Sequence, residues 1–142
     1  MIALLDVNLL VTLFYAAHVH HIRAHEWLAA NRSGGWATCP LTQNGCLRVL
    51  SQSNYPGAIP VADIARRLRQ ATAVGDHHFW ADDLSLCDAA LFDHGRILSP
   101  KHLTDLYLLA LATENAGRFV TFDRGIPEGA VKKAAAENLV VL

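Results

Sequence analysis

Short apolar runs alternate with helical segments along the whole chain, and this alternation constrains the fold more than any other feature. The runs predict strands at residues 2–5, 36–39, 78–80, 118–122 and 139–142. Apolar strands separated by helices are typical of a parallel sheet with helices packed on both faces. The sequence therefore predicts an α/β fold with a central, mostly parallel sheet, whose last strand is buried.

The segments between the strands carry the signals of helix ends. Asn8 is a good N-cap, and Pro40 suits the first turn of a helix. Asp82 or Asp83 is expected to cap a further helix, and Gly117 to follow the end of the clearest one. The predicted helices cover residues 9–17, 22–31, 41–51, 61–72, 82–92, 101–115 and 128–137.

Composition limits the class of protein. The chain has 142 residues, of which 52% are hydrophobic and 18% charged, so it can form one domain (residues 1–142) with a sizeable core. The net charge of −1 gives no polybasic signature, although a bound metal could supply positive charge locally. Three cysteines without metal-ligand spacing favour a reduced, cytoplasmic protein. No segment has the length and purity of a membrane span, and the apolar N-terminus is expected to belong to the fold.

Two aspartates are predicted to follow strands of this sheet. Asp6 interrupts the apolar stretch MIALLDVNLL, and Asp123 follows the run RFVTF. Because ligands bind at the carboxyl ends of parallel strands, we expect Asp6 and Asp123 to converge if their strands are neighbours. Alternatively, each caps the turn or helix that follows it.

A third aspartate favours the convergent arrangement. Asp105 lies near the start of KHLTDLYLLALATENAG, a helix that is apolar almost all round and so predicted to be buried, with Thr104 as a candidate cap. Three converging carboxylates would raise one another's pKa unless a cation lay between them. Oxygen ligands alone favour Mg²⁺ or Mn²⁺, which in turn suggests phosphoryl chemistry on an activated water.

The segments LLDVNLL, WATCPLTQNGCLRVLS, LTDLYLLALA and FVTFDRG together resemble the PIN-domain ribonucleases, in particular the VapC-type toxins of bacterial toxin–antitoxin pairs. The resemblance runs from Leu4 to Arg124. It implies a three-layer α/β/α sandwich, and Mg²⁺- or Mn²⁺-dependent cleavage of RNA, often tRNA or rRNA. It also implies a homodimer inhibited by a cognate VapB-like antitoxin. The acidic positions that carry over are Asp6, Asp105 and Asp123, and Thr121 matches a hydroxyl often found near the metal.

One position departs from the family pattern, because Gln43 stands where many members have glutamate. An amide can orient a water or a second ion, and we assign Gln43 that catalytic role, but it cannot act as a carboxylate base. The alternative is therefore a degenerate PIN domain that binds RNA or antitoxin with little cleavage. A phosphoryl-receiver domain is disfavoured, because Lys132 and Lys133 fall in a predicted helix rather than at a strand end.

Other polar residues have two interpretations each. Asn8 is expected to brace Asp6 or to cap the first helix, and Arg124 either contacts RNA phosphate or forms a salt bridge. Arg48 has the same two interpretations, and the salt bridge is favoured. A solvated face is favoured over an RNA-binding edge for Arg66, Arg67 and Arg69. Surface histidines near the RNA entrance are favoured over a zinc site for His18, His20, His21 and His25.

Overall fold

The strands form one parallel sheet, and the computed structural model describes every residue of the chain, 1–142. In chain order the strands are Ala3–Leu5 (β1), Trp36–Thr38 (β2), His77–Phe79 (β3), Arg118–Thr121 (β4) and Leu139–Val141 (β5). Their spatial order is β3-β2-β1-β4-β5, and every neighbouring pair is parallel. The predicted α/β class with a parallel central sheet is confirmed.

Side-chain alternation along β1 and β4 gives the sheet two apolar faces. Leu4 and Phe119 point into one core, whereas Leu5 and Val120 point into the other. This is the period of two that any strand imposes on its side chains. Both faces are therefore buried, which explains why these strands read as continuous apolar runs.

The helices divide between the two faces. Helix α5 (Leu103–Glu114) lies in one core, and its residues from Leu106 to Ala112 are all buried. Helices α1, α2, α3 and α4 supply the other core; they span Val7–Phe14, His21–Asn31, Pro40–Ser51 and Val61–Thr72. The result is the three-layer α/β/α sandwich. None of these helices has the length and hydropathy needed to cross a lipid bilayer.

The sheet contains a point where the direction of chain progression reverses. From β1 the chain moves to β2 and β3 on one side, and it then returns to place β4 on the other side of β1. At such a point the connections after neighbouring strands diverge and leave a crevice at the strands' carboxyl ends. Asp6 follows β1 and Asp123 lies just beyond β4, so both border this crevice.

Several predicted element ends are wrong in detail. Asp6, rather than Asn8, is the N-cap of α1, because β1 passes directly into the helix and the Asp6 carboxylate accepts a hydrogen bond from the Val7 amide. Thr104 does not cap α5, which begins at Leu103 after a single 3₁₀ turn, Pro100–His102.

The helix predicted over residues 82–92 is absent. Asp82 instead accepts a hydrogen bond from the Leu41 amide, so it caps α3. Ser85 accepts from the Cys87 amide and Asp88 from the Ala90 amide. Short polar side chains that bond to nearby backbone amides stabilise turns at the expense of helix, and the segment is a series of turns.

The helix predicted over residues 128–137 is also wrong. The segment holds two short 3₁₀ turns, Glu128–Ala130 and Ala136–Asn138. Between them, Val131 pairs with Phe92 in an isolated antiparallel bridge. Asn138 holds the second turn by accepting from the Ala135 amide and donating to the Gly117 carbonyl. The strand that follows, β5, lies at the sheet edge and is only partly buried, contrary to the prediction of a buried strand.

Candidate active site

Asp6 is held rigidly at the end of β1. Its backbone amide donates to the Val120 carbonyl at 3.0 Å, which extends the pairing of β1 with β4 by one residue. Its side chain is only 5% exposed, and both carboxylate oxygens accept hydrogen bonds, one from the Val7 amide (2.6 Å) and one from the Thr121 hydroxyl (2.6 Å). The two interpretations of Asp6 are therefore compatible, because it caps α1 and also faces the crevice.

Asp105 and Asp123 approach Asp6 from different elements. Asp105 is the third residue of α5, where the helix dipole favours a negative charge. Its Oδ2 lies 3.9 Å from Nδ1 of His102. Asp123 lies in the exposed segment after β4. One carboxylate oxygen from each aspartate lies within 4.8 Å of the other two, so the structure brings together all three residues that the sequence singled out.

The Thr121 hydroxyl connects two of the three carboxylates. It donates to Oδ2 of Asp6 at 2.6 Å and accepts from the Asp123 backbone amide at 3.0 Å. The Asn8 amide group also approaches it, with Nδ2 3.4 Å from the hydroxyl oxygen. Thr121 is fully buried, so its single rotatable hydroxyl sets the orientation of Asp6 and of the turn that carries Asp123.

Without a bound cation, ionisation of the three aspartates is energetically unfavourable. Burial, with a smaller contribution from Asp105, raises the pKa of Asp6 to about 6 against the hydrogen bond from Thr121. Burial and the charge of Asp123 also raise the pKa of Asp105, although His102 opposes this shift. No lysine or arginine forms an ion pair with any of the three aspartates. The cluster therefore has uncompensated negative charge.

This cluster fits a hard divalent cation. Its donors are carboxylate oxygens, which Mg²⁺ and Mn²⁺ prefer. In addition, Oδ1 of Asn8 is buried and has no hydrogen-bond partner in the chain. A buried acceptor of this kind calls for a donor that the protein does not supply, such as an ordered water. A hydrated cation at this position would favour the ionised carboxylates against the burial and mutual repulsion that raise their pKa values, and one of its waters would supply the donor that the orphaned oxygen lacks.

Gln43 lies on a different side of α3 from the residues that face Asp6. Its Nε2 donates to the Thr38 hydroxyl at 3.0 Å, and that hydroxyl in turn lies 2.8 Å from Nε2 of His77. The next residue, Asn44, is the one that lines a groove with Asp6. The catalytic role assigned to Gln43 stays a prediction.

Two open grooves flank Asp6. One, of about 310 Å³, is lined in part by Asp6, Asn8, His18, Tyr55 and Asp123. The other, of about 450 Å³, is lined in part by Asp6, Asn44, Arg48 and Thr104. An extended substrate could therefore pass over Asp6 from one groove into the other.

Arg48 and Arg124 do not form the salt bridges that were one of the two interpretations of each residue. Neither forms a salt bridge, so the favoured interpretation of Arg48 is wrong; it is an exposed cation at the groove instead. Arg124 is exposed and follows Asp123 directly. Both guanidinium groups are consequently available to a phosphate.

The remaining predictions concern surface groups. On α4, Arg66 pairs with Asp63 and all three arginines are exposed, as expected of a solvated face. The His21 and His25 rings lie 4.4 Å apart, but each has a ring nitrogen hydrogen-bonded to a carbonyl of α1. The chain's one cluster of three or more residues suited to a metal is the aspartate triad, so nothing supports a histidine zinc site.

Sequence reasoning missed two residues of the site. Asn44 was missed because the family pattern directed attention to its neighbour Gln43. Adjacent residues of a helix point in directions about 100° apart, so only one of the two can face Asp6. His102 lies three residues before Asp105, a spacing that places two side chains on the same helical face. The spacing was visible in the sequence, but it has meaning only once Asp105 is known to face the crevice.

Comparison with known proteins agrees with this architecture. The sequence profile described as "PIN domain" matches residues 3–132, and the chain belongs to the PIN domain family. It is 46% identical to ribonuclease VapC44 of Mycobacterium tuberculosis over an alignment of 140 residues, and this alignment covers 99% of each chain. It is also 48% identical over 125 residues to ribonuclease VapC38 (87% and 86% of the two chains) and 38% identical over 135 residues to ribonuclease VapC39 (92% and 94%), both of the same organism. The resemblance to VapC-type PIN-domain ribonucleases is confirmed.

Proposed function

We propose that this chain is a metal-dependent endoribonuclease that acts as the toxin of a toxin–antitoxin pair, with an RNA of the tRNA or rRNA class as substrate. The observation that carries the proposal is the convergence of Asp6, Asp105 and Asp123 within 4.8 Å at the sheet's reversal point. The similarity to proteins named VapC ribonucleases supports the same conclusion.

Asp6, Asp105 and Asp123 would hold Mg²⁺, or Mn²⁺ in its place. Such an ion lowers the pKa of water and neutralises charge that develops on a phosphodiester under attack. Thr121 fixes the orientation of the Asp6 carboxylate by donating to it. Asn8 presents its free Oδ1 as an acceptor that can orient a water beside the triad.

The cationic residues would position the RNA. Arg48 lines the groove on one side of Asp6, and Arg124 follows Asp123, so each can bind a phosphate of the same strand. Gln43 is proposed to orient a water or a second ion. In the structure its amide donates to Thr38, so this role requires the side chain to exchange that hydrogen bond for one in the crevice.

The partners in this proposal are the RNA substrate, a VapB-like antitoxin and a second copy of the chain as a homodimer. The single domain over residues 1–142 is part of the same proposal. The three cysteines are unpaired, as is typical of a reducing compartment, which favours a cytoplasmic location.

The enzymatic proposal is tested by incubating the purified protein with total RNA and Mg²⁺ or Mn²⁺. We expect cleavage that EDTA abolishes and that Asp123→Asn reduces about a hundredfold or more, because changing a residue that only orients a metal ligand already costs about 10–100-fold, and Asp123 is proposed to bind the metal itself. Asp83→Asn is the matched control, since Asp83 is exposed and lies outside the triad. Cleavage that persists in EDTA would overturn the metal assignment.

One observation favours a second candidate, a degenerate PIN domain that binds RNA or antitoxin with little cleavage. Gln43 donates to Thr38 instead of lining the grooves beside Asp6. The two candidates are separated by the turnover of the wild-type protein with Mn²⁺ and by Gln43→Glu. A wild-type protein that binds RNA without turnover, together with a Gln43→Glu variant that cleaves it, would establish the degenerate form.

A further inference from the structure

A row of aromatic rings runs along one side of the aspartate triad. Its members, called the aromatic row below, are Tyr55, Tyr15, His18, His20 and Phe122. The successive ring centroids are 5.3, 6.5, 5.7 and 5.0 Å apart, and the last pair, His20 on Phe122, is stacked at 24°. These rings come from three separate segments: the connection from α1 to α2, the connection from α3 to α4, and the end of β4.

The aromatic row is continuous with the candidate active site. His18 and Tyr55 line the same groove of about 310 Å³ as Asp6 and Asp123. Phe122 precedes Asp123 directly, so the ring that stacks on His20 is attached to the residue next to a proposed metal ligand. When an RNA is bound with its scissile phosphate at the triad, the nucleotides next to that phosphate would therefore lie within reach of the rings.

The rings of the aromatic row are held in place by the core and remain partly exposed to solvent. Tyr15, Tyr55 and Phe122 pack against the core formed with α1–α4, yet none of them is fully buried. Gly57 has a φ of +88°, and a Cβ at this position would lie 2.8 Å from the Tyr15 ring, so the loop that carries Tyr55 is closely fitted to Tyr15. The His20 side chain is exposed and makes no hydrogen bond.

We propose that the aromatic row is a stacking surface for unpaired RNA bases on one side of the cleaved phosphodiester. This inference rests on the proposed function, since it places the bases of the same substrate. Aromatic faces bind bases of any sequence, and each stacked base contributes about 1–3 kcal/mol to binding. Phosphate contact would come from Arg48 in the opposite groove, so the two grooves would recognise different parts of one strand.

His20 is the ring best suited to a test, because its side chain is exposed and its removal leaves no hydrogen bond unmade. Binding is measured in an Asp105→Asn background, so that the RNA survives, by the fluorescence anisotropy of a short labelled single-stranded RNA with Mg²⁺ present. A second RNA of the same length carries abasic nucleotides, which keep the phosphates and lack the bases.

We expect His20→Ala to weaken binding of the intact RNA about tenfold and to leave binding of the abasic RNA unchanged. His20→Phe should restore binding of the intact RNA, because it keeps an aromatic ring and lacks the imidazole nitrogens, which could otherwise bind the RNA without stacking. His78→Ala is the matched control, since His78 is also exposed but lies on β3, at the far edge of the sheet from β4. In the active protein, His20→Ala should raise KM and leave kcat within about twofold.

Three outcomes would overturn the inference. His20→Ala leaves the affinity for the intact RNA unchanged, His20→Ala lowers the affinities for the intact and the abasic RNA equally, or the Asp105→Asn protein with His20 in place does not bind the intact RNA. Equal losses would indicate a phosphate contact, and an unchanged RNA affinity with lost antitoxin binding would indicate a peptide site. These results are independent of the proposed function, which fails if the wild-type protein does not cleave RNA, whatever the effect of His20→Ala on binding.

Discussion

The Asp6 carboxylate shows how a single residue can oppose the stability of its own fold. It is buried at a strand end, faces two other carboxylates and has no cationic partner within the chain. Its two hydrogen bonds lower its pKa, but burial outweighs them and the result is a pKa of about 6 against an ordinary value of 3.8. A shift of this size corresponds to about 3 kcal/mol of destabilisation when the group is ionised.

We therefore expect Asp6→Asn to stabilise the metal-free protein at pH 7 by up to about 3 kcal/mol while abolishing cleavage. Since the folded pKa exceeds the unfolded one, the folded state holds more protons between pH 3.8 and about 6, and wild-type stability falls as the pH rises through that window. Urea unfolding at several pH values with EDTA measures the effect. The gap between variant and wild type should close below pH 3.8, and a gap that is independent of pH would contradict this account.

The Thr121 hydroxyl has a separate effect on the same carboxylate. Thr121→Val keeps the shape of the side chain but removes the donor to Asp6 and the acceptor for the Asp123 amide. Leaving buried polar groups unpaired costs about 1–3 kcal/mol each, so we expect lower stability, and cleavage reduced about tenfold or more. Thr121→Ser is the control that keeps the hydroxyl. If Thr121→Val cleaves as fast as Thr121→Ser, the hydroxyl does not position the triad.

At the scale of elements, the contact between α1 and α3 sets the position of the residue that follows Asp6. Gly45 on α3 lies so close to Val7 on α1 that a Cβ at residue 45 would lie 2.5 Å from the Val7 side chain. The contact involves a branched side chain attached directly to the start of α1. Crowding here would move the helix that Asp6 caps.

Gly45→Ala is accordingly expected to destabilise the protein by about 1–3 kcal/mol and to reduce cleavage. The double variant Gly45→Ala with Val7→Ala should recover part of both losses, because it removes the Val7 methyl groups that the new Cβ would meet. Gly75→Ala is the matched control, since nothing lies within 4 Å of its Cβ. Thermal unfolding and an RNA cleavage assay measure the two effects, and additive losses in the double variant would contradict the proposed clash.

The elements also show where sequence reasoning succeeds. The strands β1, β2 and β4 were predicted within about one residue at each end, and α4 was predicted over residues 61–72, because apolar periodicity dominates in these segments. The errors at residues 82–92 and 128–137 have one cause. There Ser85, Asp88 and Asn138 bond to local backbone amides, and side-chain orientations of this kind are not visible in a sequence pattern.

The candidate site was predictable to a similar extent. The three aspartates were found because a carboxylate next to a buried strand or on a buried helix is costly and needs an explanation. The position of Gln43 could not be predicted, because adjacent residues of a helix point in directions about 100° apart and the sequence does not set the phase of α3 relative to β1. The aromatic row could not be predicted either, since its rings come from segments whose approach depends on the tertiary fold.

At the scale of the whole molecule, the triad joins elements that are distant in the chain. Asp6 follows β1, Asp105 lies on α5 and Asp123 follows β4, so the three carboxylates come together only when the chain is folded. A cation bound by all three would therefore bind the folded state and not the unfolded state, and would stabilise the fold. Its contribution grows with concentration and reaches about 2.7 kcal/mol at a hundred times the dissociation constant.

Mg²⁺ or Mn²⁺ should therefore raise the melting temperature of the wild-type protein at pH 7, as measured by calorimetry. The rise should be smaller at pH 5, below the Asp6 pKa of about 6, because binding must then displace a proton. Asp83→Asn should keep the metal-dependent rise, whereas Asp123→Asn should lose most of it. An equal rise in both variants would place the cation elsewhere.

The positions of the three aspartates in the chain also determine at which stage of its synthesis the protein can assemble its candidate active site. The bond between Thr121 and Asp6 spans 115 residues, and Asp123 lies beyond it. A ribosome that has synthesised the first hundred residues has therefore produced β1, but neither of the other two carboxylates. On the proposed function, a translation product that ends before Asp123 lacks part of the triad and is expected to cleave no RNA, so the antitoxin is needed only for chains that extend past this residue.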